Sequence, residues 1–187
     1  MTPHQRPHFS APEIVALTQE LYGLTVSAQS LPSERDQNFH LQSPAGQFVL
    51  KIANGAEDKS VLDLQNKALA HLGRNAGNLP WSVVCPTQAG ESIAVVSGAS
   101  GIDHYVRLLT YLPGKPLGLA KPHTPELLQK VGCFLGQMDQ SLLDFAHPAA
   151  RRELKWDLRH AREVIGEYQG YITEPTRRKL VRSEEHT

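Results

Sequence analysis

The sequence predicts an α+β chain in which a five-stranded antiparallel sheet with two helices precedes the start of a helical region. Three observations carry this. Up to residue 112 the hydrophobic spacing switches between the helical period and the two-residue period of strands. A Gly/Pro-rich run, "LPGKPLGLAKPH", then breaks the pattern. Beyond it the apolar stripes are helical.

Ser10-Ala11-Pro12-Glu13 reads as a capping box with proline early in the first turn, and Ile14, Leu17, Leu21 and Tyr22 follow at helical spacing until Gly23 stops the helix. Strands follow over residues 25–31, 38–42 and 47–53, the last two joined by the turn Ser43-Pro44-Ala45-Gly46. Residues 57–72 return to helical spacing, with Val61, Leu64, Ala68 and Leu72 as one stripe and Gly73 as its end. Two strands over 92–97 and 104–112 flank the turn "GASGID". After the Gly/Pro-rich run, Thr124 caps a helix with Pro125 at its first position and Leu128, Val131, Leu135, Met138 and Leu142 along one side. A second helix is expected through Leu154, Leu158, Ala161, Ile165 and Tyr168. The expected organisation is a lobe over 1–112, a linker over 113–123 and an incomplete helical lobe over 124–181.

Composition narrows the function classes. Nineteen basic residues balance nineteen acidic ones, so no global field draws the chain to nucleic acid or to an anionic membrane. Sparse aromatics without an interleaved basic run argue against a single-strand nucleic-acid platform. No apolar run approaches a membrane span, and the first nine residues lack the apolar core of a signal peptide. Cys85 and Cys133 have no metal-ligand spacing and suit a reducing compartment, so the cytoplasm is the expected location. The nine histidines are scattered without a ligand pair, and no transition-metal site is expected.

One residue breaks the apolar grammar of the third strand. Phe48, Leu50 and Ile52 share one face, whereas Val49, Lys51 and Ala53 share the other. A buried unpaired ammonium is costly, so Lys51 either snorkels from a wet face or meets an anion. A strand lysine preceded by strand–loop–strand and followed by a helix is the arrangement with which kinases hold nucleotide phosphates.

The segments "SERDQNFHL", "GQFVLKIA", "LDLQNKALAHL", "YVRLLTYLPGKPL", "LGQMDQSLL" and "WDLRHA" resemble the aminoglycoside phosphotransferase/choline kinase family, more narrowly its hydroxylysine-kinase-like branch. Relatives in that branch occur alone or fused to a class III aminotransferase. The resemblance implies a protein-kinase-like fold, with 1–112 as the nucleotide-binding lobe, and ATP with Mg²⁺ as cofactors. It also implies a small-molecule hydroxyl acceptor on an amino alcohol or a hydroxylated amino acid. Lys51 would pair with phosphates beneath the loop Ser33-Glu34-Arg35-Asp36-Gln37-Asn38, which departs from the glycine-rich form in having no glycine. Gln65 would stand where a helix glutamate usually orients the lysine, with Asp63 and Glu57 as substitutes. Thr110-Tyr111-Leu112 would be the hinge facing the adenine edge.

Other signals are discounted. Asp144-Phe145-Ala146 is read as a helix terminus and not a metal-binding Asp-Phe-Gly, and Gly98-Ala99-Ser100-Gly101 as a hairpin turn. Trp156 is expected to pack and Asp157 to cap, with a substrate-side role for Asp157 as the other reading. No His-x-Asp occurs in the sequence, so no catalytic residue is assigned and the chain is expected to be inactive by itself. The last six residues, "RSEEHT", match a translated sequencing adapter, so 182–187 are expected to be an artefact and the natural protein to continue. The competing expectation is a non-catalytic kinase-like module that binds nucleotide or a partner.

Overall fold

The Ser10 capping box forms as its residues dictate. In a computed structural model that describes residues 5–75, 77, 79–152 and 157–183, Ser10 Oγ accepts from the Glu13 N–H, and Glu13 Oε2 accepts from the Ser10 N–H at 2.7 Å. This opens helix α1 (Ala11–Tyr22), which Gly23 closes in the left-handed conformation, φ 67°, a backbone that glycine adopts without a Cβ clash.

The sheet contains β1 (Ser27–Leu31), β2 (Gln37–Ser43), β3 (Gly46–Ile52), β4 (Val84–Cys85), β5 (Ala94–Ser97) and β6 (Asp103–Thr110). Its order is β1-β2-β3-β6-β4, with β5 also on β6, and every pairing is antiparallel. The β2–β3 hairpin closes with Ser43 opposite Gly46, as the Pro44-Ala45 turn requires. The expected five strands are all present, and Val84–Cys85 is a sixth that sequence reading missed. Two residues between Pro80 and Pro86 are too short to show alternation.

Helix α2 (Lys59–Asn75) passes through Gly73 instead of stopping there. A mid-helix glycine costs only about 1 kcal/mol relative to alanine. Here the turn containing it is tied down: the Asn75 amide and His71 Nε2 lie 2.8 Å apart, and His71 Nε2 is 2.9 Å from the Ser141 carbonyl. Helix α3 (Pro125–Ser141) starts where expected, with Thr124 Oγ1 accepting from the Leu127 N–H at 3.2 Å. Asp144 falls beyond its end, 3.0 Å from His71 Nε2, in keeping with a helix terminus.

The chain divides into two compact units, Met1–Ala149 and Ala150–Thr187. In the first, one sheet face packs under α1: Ile14, Val26, Phe39, Leu41, Leu50, Ile52, Ala94, Val106 and Leu108 form the core. Fully burying each such side chain contributes about 1.5–3 kcal/mol. Ala53, Leu62 and Ile93, joined by Tyr105, make a smaller cluster beneath α2.

In the second unit a 3₁₀ turn at Leu158–His160 leads into α4 (Ala161–Tyr168), and α5 (Pro175–Ser183) follows. The expected single helix through Leu158 is thus a turn and a shorter helix, and Leu158 is 87% exposed where the stripe would have buried it. Leu154, Trp156 and residues 184–187 of the tail lie outside the described residues. Asp157 caps, accepting from the Arg159 N–H at 3.0 Å, and the Arg159 side-chain hydrogen bonds hold its carboxyl down at about 2. Helix α5 was not anticipated; its signal was Glu174 followed by Pro175, with Glu174 Oε1 accepting from the Thr176 N–H.

Candidate functional site

Alternation along β2, β3 and β6 places Asn38, Lys51 and Arg107 in one row across three strands, on the face opposite α1. His40, Val49 and Leu109 form the next row. The His40 ring lies 4.3 Å from that of Tyr111, and His40 Nε2 is 2.9 Å from Gln47 Oε1. This face is polar and charged at one end and mixed aromatic and aliphatic at the other, a layout that fits a ligand with an anionic tail and a flat ring.

Lys51 stands directly opposite Arg107 in the β3–β6 register. Its ammonium makes no hydrogen bond or ion pair among the described residues. Burial pushes its pKa down first, the neighbouring Arg107 cation second, and Asp36 opposes both. Arg107 is more deeply placed, 3% exposed, and burial likewise lowers its pKa against the pull of Asp36, Glu57 and Tyr22. Its guanidinium donates through Nη1 to Asn66 Oδ1 at 2.8 Å and through Nη2 to Gln65 Oε1 at 2.6 Å, both on α2. A longer contact, 3.4 Å, runs to the Leu62 carbonyl.

Gln65 therefore bonds Arg107 and not Lys51. Asp63 is engaged elsewhere, with Lys67 Nζ at 2.7 Å and His147 Nε2 at 3.0 Å. Glu57 acts through its charge on Arg107.

The loop before β2 is anchored by its acceptors. The Ser33 carbonyl accepts from Arg6 Nη2 at 3.0 Å, the Arg35 carbonyl from Asn54 Nδ2 at 3.3 Å, and Asp36 Oδ1 from the Asn54 N–H at 3.0 Å. None of the four N–H groups of residues 33–36 donates to another described residue. A loop held from one side with its amides unspent can receive phosphate oxygens without glycine. Glu34 is exposed at its tip. Asn38 Oδ1 is buried with no partner among the described residues, an acceptor suited to a ligand hydroxyl.

At the other end, Thr110 N–H donates to the Val83 carbonyl at 2.9 Å, while Thr110 Oγ1 accepts from the Val83 N–H at 2.9 Å. Tyr111 N–H donates to the Gln47 carbonyl at 3.0 Å. Leu112, 44% exposed, is the first residue past β6 whose N–H bonds to no other described residue.

Lys51, Asp36 and Gln65 thus gather around Arg107 at one end of the face with Asn38 on the far side of Lys51, and Thr110, Tyr111 and Leu112 mark the other. Sequence reading missed Arg107, Asn66, His40 and Val49. The signal for Arg107 was present: like Lys51, it is the lone cation in an apolar strand, "HYVRLLTYL". Among the described residues, no three His, Cys, Asp or Glu side chains converge to hold a metal ion, and no helix is long and apolar enough to cross a membrane.

The model of the phosphotransferase enzyme family matches residues 27–186. Hydroxylysine kinase of Mus musculus is 31% identical, the match covering 94% of this chain and 50% of that protein. Hydroxylysine kinase of Danio rerio is 34% identical over 80% of this chain and 43% of that protein. The chain spans about half the length of the curated relatives it matches. Among solved structures, amicoumacin kinase hAmiN in complex with AMP-PNP, Ca²⁺ and Ami aligns with TM-score 0.68 at 12% identity, over 96% of this chain and 54% of that one. A microcompartment-associated aminopropanol kinase aligns with TM-score 0.61 at 16% identity, over 79% of this chain and 45% of that one.

Proposed function

Because this chain belongs to the phosphotransferase enzyme family, we propose that it is the nucleotide-binding half of an ATP-dependent small-molecule kinase. The observation that carries the reading is Lys51, a partly buried ammonium with no hydrogen bond or ion pair among the described residues, near enough to the loop for the Asp36 charge to act on it, while the amides of residues 33–36 are likewise unspent among the described residues. Lys51 holds the phosphates, the loop covers them, and Asn38 Oδ1 accepts from a sugar hydroxyl. The ring rests on Val49 and Leu109 with its edge toward the Leu112 N–H. ATP would supply the phosphoryl group; this chain's residues bind and orient it. A divalent cation accompanying the nucleotide would offset the phosphate charge; among the described residues no three His, Cys, Asp or Glu side chains converge to hold one.

The acceptor is proposed to be a hydroxyl of an amino alcohol or a hydroxylated amino acid. The hydroxylysine kinases it matches and the aminopropanol kinase that shares its fold support this class. The cytoplasm is the proposed location. With no His-x-Asp in the sequence, residues 1–187 are proposed to bind nucleotide without transferring phosphate. One observation favours a non-catalytic module instead: Gln65 bonds Arg107, so no α2 side chain is paired with Lys51. Nothing in the comparisons supports an attached aminotransferase.

Calorimetric titration of the chain with ATP, ADP and adenosine tests the reading. Tighter binding with each added phosphate is expected, with no phosphotransfer to hydroxylysine. Failure of ATP to bind would overturn the nucleotide reading, and measurable transfer would overturn the assignment of inactivity. Binding that needs Lys51 and is indifferent to Mg²⁺ would favour the non-catalytic module.

A further inference from the structure

We propose that Arg107 is a positioning residue of the phosphate site, a second buried cation that α2 clamps beside Lys51 so that the site selects a nucleoside polyphosphate over the bare nucleoside. The inference deepens the nucleotide reading and rests on it.

The β3–β6 register sets Lys51 and Arg107 directly opposite each other, a placement at which like charges destabilise a sheet. Both are drawn from water, and the Arg107 cation makes Lys51 harder to charge. A sheet built only for stability would put a carboxylate or an apolar side chain at one of the two positions. Three α2 acceptors hold the guanidinium: Asn66 Oδ1, Gln65 Oε1 and the Leu62 carbonyl. All three are uncharged, so they fix the guanidinium without neutralising it. The carboxylate of Asp36 acts on both cations, and its Oδ1 is already bonded to the Asn54 N–H. The Glu57 carboxylate acts on Arg107 as well, yet no carboxylate forms a hydrogen bond or ion pair with either cation among the described residues, so both stay open to a ligand's charge. Asn66 is itself fixed by its amide donating to the Ser92 carbonyl at 3.2 Å.

Two consequences follow from this arrangement. The field favours ligands with several negative charges in a short span, such as a di- or triphosphate. A shift of α2 also moves Arg107, and so alters the potential at Lys51 with no hydrogen bond between α2 and Lys51.

The test is the affinity ratio between ATP and adenosine, read for wild type, Arg107→Gln, Arg107→Lys and Gln65→Glu. Arg107→Gln is expected to lower the ratio at least tenfold with adenosine affinity unchanged, and Arg107→Lys to restore most of it. Gln65→Glu sets a carboxylate against Nη2 at an exposed position, so it tests the same field if Arg107→Gln fails to fold; it too is expected to lower the ratio. A ratio unchanged by the folded variants, or ATP and adenosine weakened alike, would reduce Arg107 to a structural residue and overturn the proposal. Should wild type bind no nucleotide, the nucleotide reading fails by itself. Inorganic tripolyphosphate then decides the cation pair: a rise in wild-type Tm absent from Gln65→Glu sustains it, and no rise overturns it.

Discussion

Replacing Lys51 with methionine should make the ligand-free protein more stable and the nucleotide complex weaker. The substitution keeps an unbranched apolar stem and removes only the cation. Lys51 faces Arg107 across β3 and β6, makes no hydrogen bond or ion pair among the described residues, and is offset only in part by the Asp36 charge. A cross-strand pair is worth about 0.2–1 kcal/mol, and relief of the buried charge adds to it, so a gain near 1 kcal/mol is expected. For a chain of 187 residues this corresponds to a Tm rise of about 2–4 °C. A hydrogen bond from a charged donor contributes about 1.5–3 kcal/mol to a complex, so ATP affinity should fall roughly 10- to 150-fold. Thermal unfolding without ligand and calorimetric titration with ATP read the two effects separately. A lower Tm with ATP affinity intact would refute the reasoning, because Lys51 would then be part of the structure and not of the site.

The same pair sets a pH dependence. The folded pKa of Lys51 lies below its ordinary 10.5, so its cost is present in full below the folded value and disappears as pH rises through it toward 10.5. The stability advantage of Lys51→Met over wild type should therefore shrink in denaturant titrations at rising alkaline pH; a constant advantage would count against the assignment. Ser10→Ala removes the Oγ acceptor of the Glu13 N–H and the Oγ donor to Glu13 Oε2, leaving the backbone half of the α1 cap, and should cost about 1 kcal/mol in the same titrations. Phe39→Ala, at a site only 2% exposed between α1 and the sheet, should cost about 3–5 kcal/mol. The α3 side chains Leu128 and Leu135, 51% and 47% exposed, should promote self-association that Leu135→Gln reduces, measured as mass against concentration by light scattering.

Much of the architecture was legible because local chemistry and global packing agree. The Ser10 box, the Gly23 stop, the Pro44-Ala45 hairpin and the Thr124 cap are each fixed by residues within a few positions of one another. What escaped depends on distant partners. The strand Val84–Cys85 exists because β6 offers Leu108 and Leu109 an edge to share, and α2 continues past Gly73 because His71 reaches the Ser141 carbonyl. The site shows the same division. Alternation within β3 was enough to turn Lys51 away from the core, but its neighbour Arg107 is 56 residues later and meets it only through sheet register. For that reason Gln65 was matched to the visible lysine, although in the fold it bonds the arginine.

Lysine-specific labelling with mass-spectrometric readout, with and without saturating ATP, is the most direct test of whether Lys51 meets phosphate. ATP should slow modification of Lys51 well beyond any effect of adenosine, with Lys67 and Lys115 reacting at unchanged rates. Equal labelling of Lys51 in the presence and absence of ATP would contradict the phosphate role.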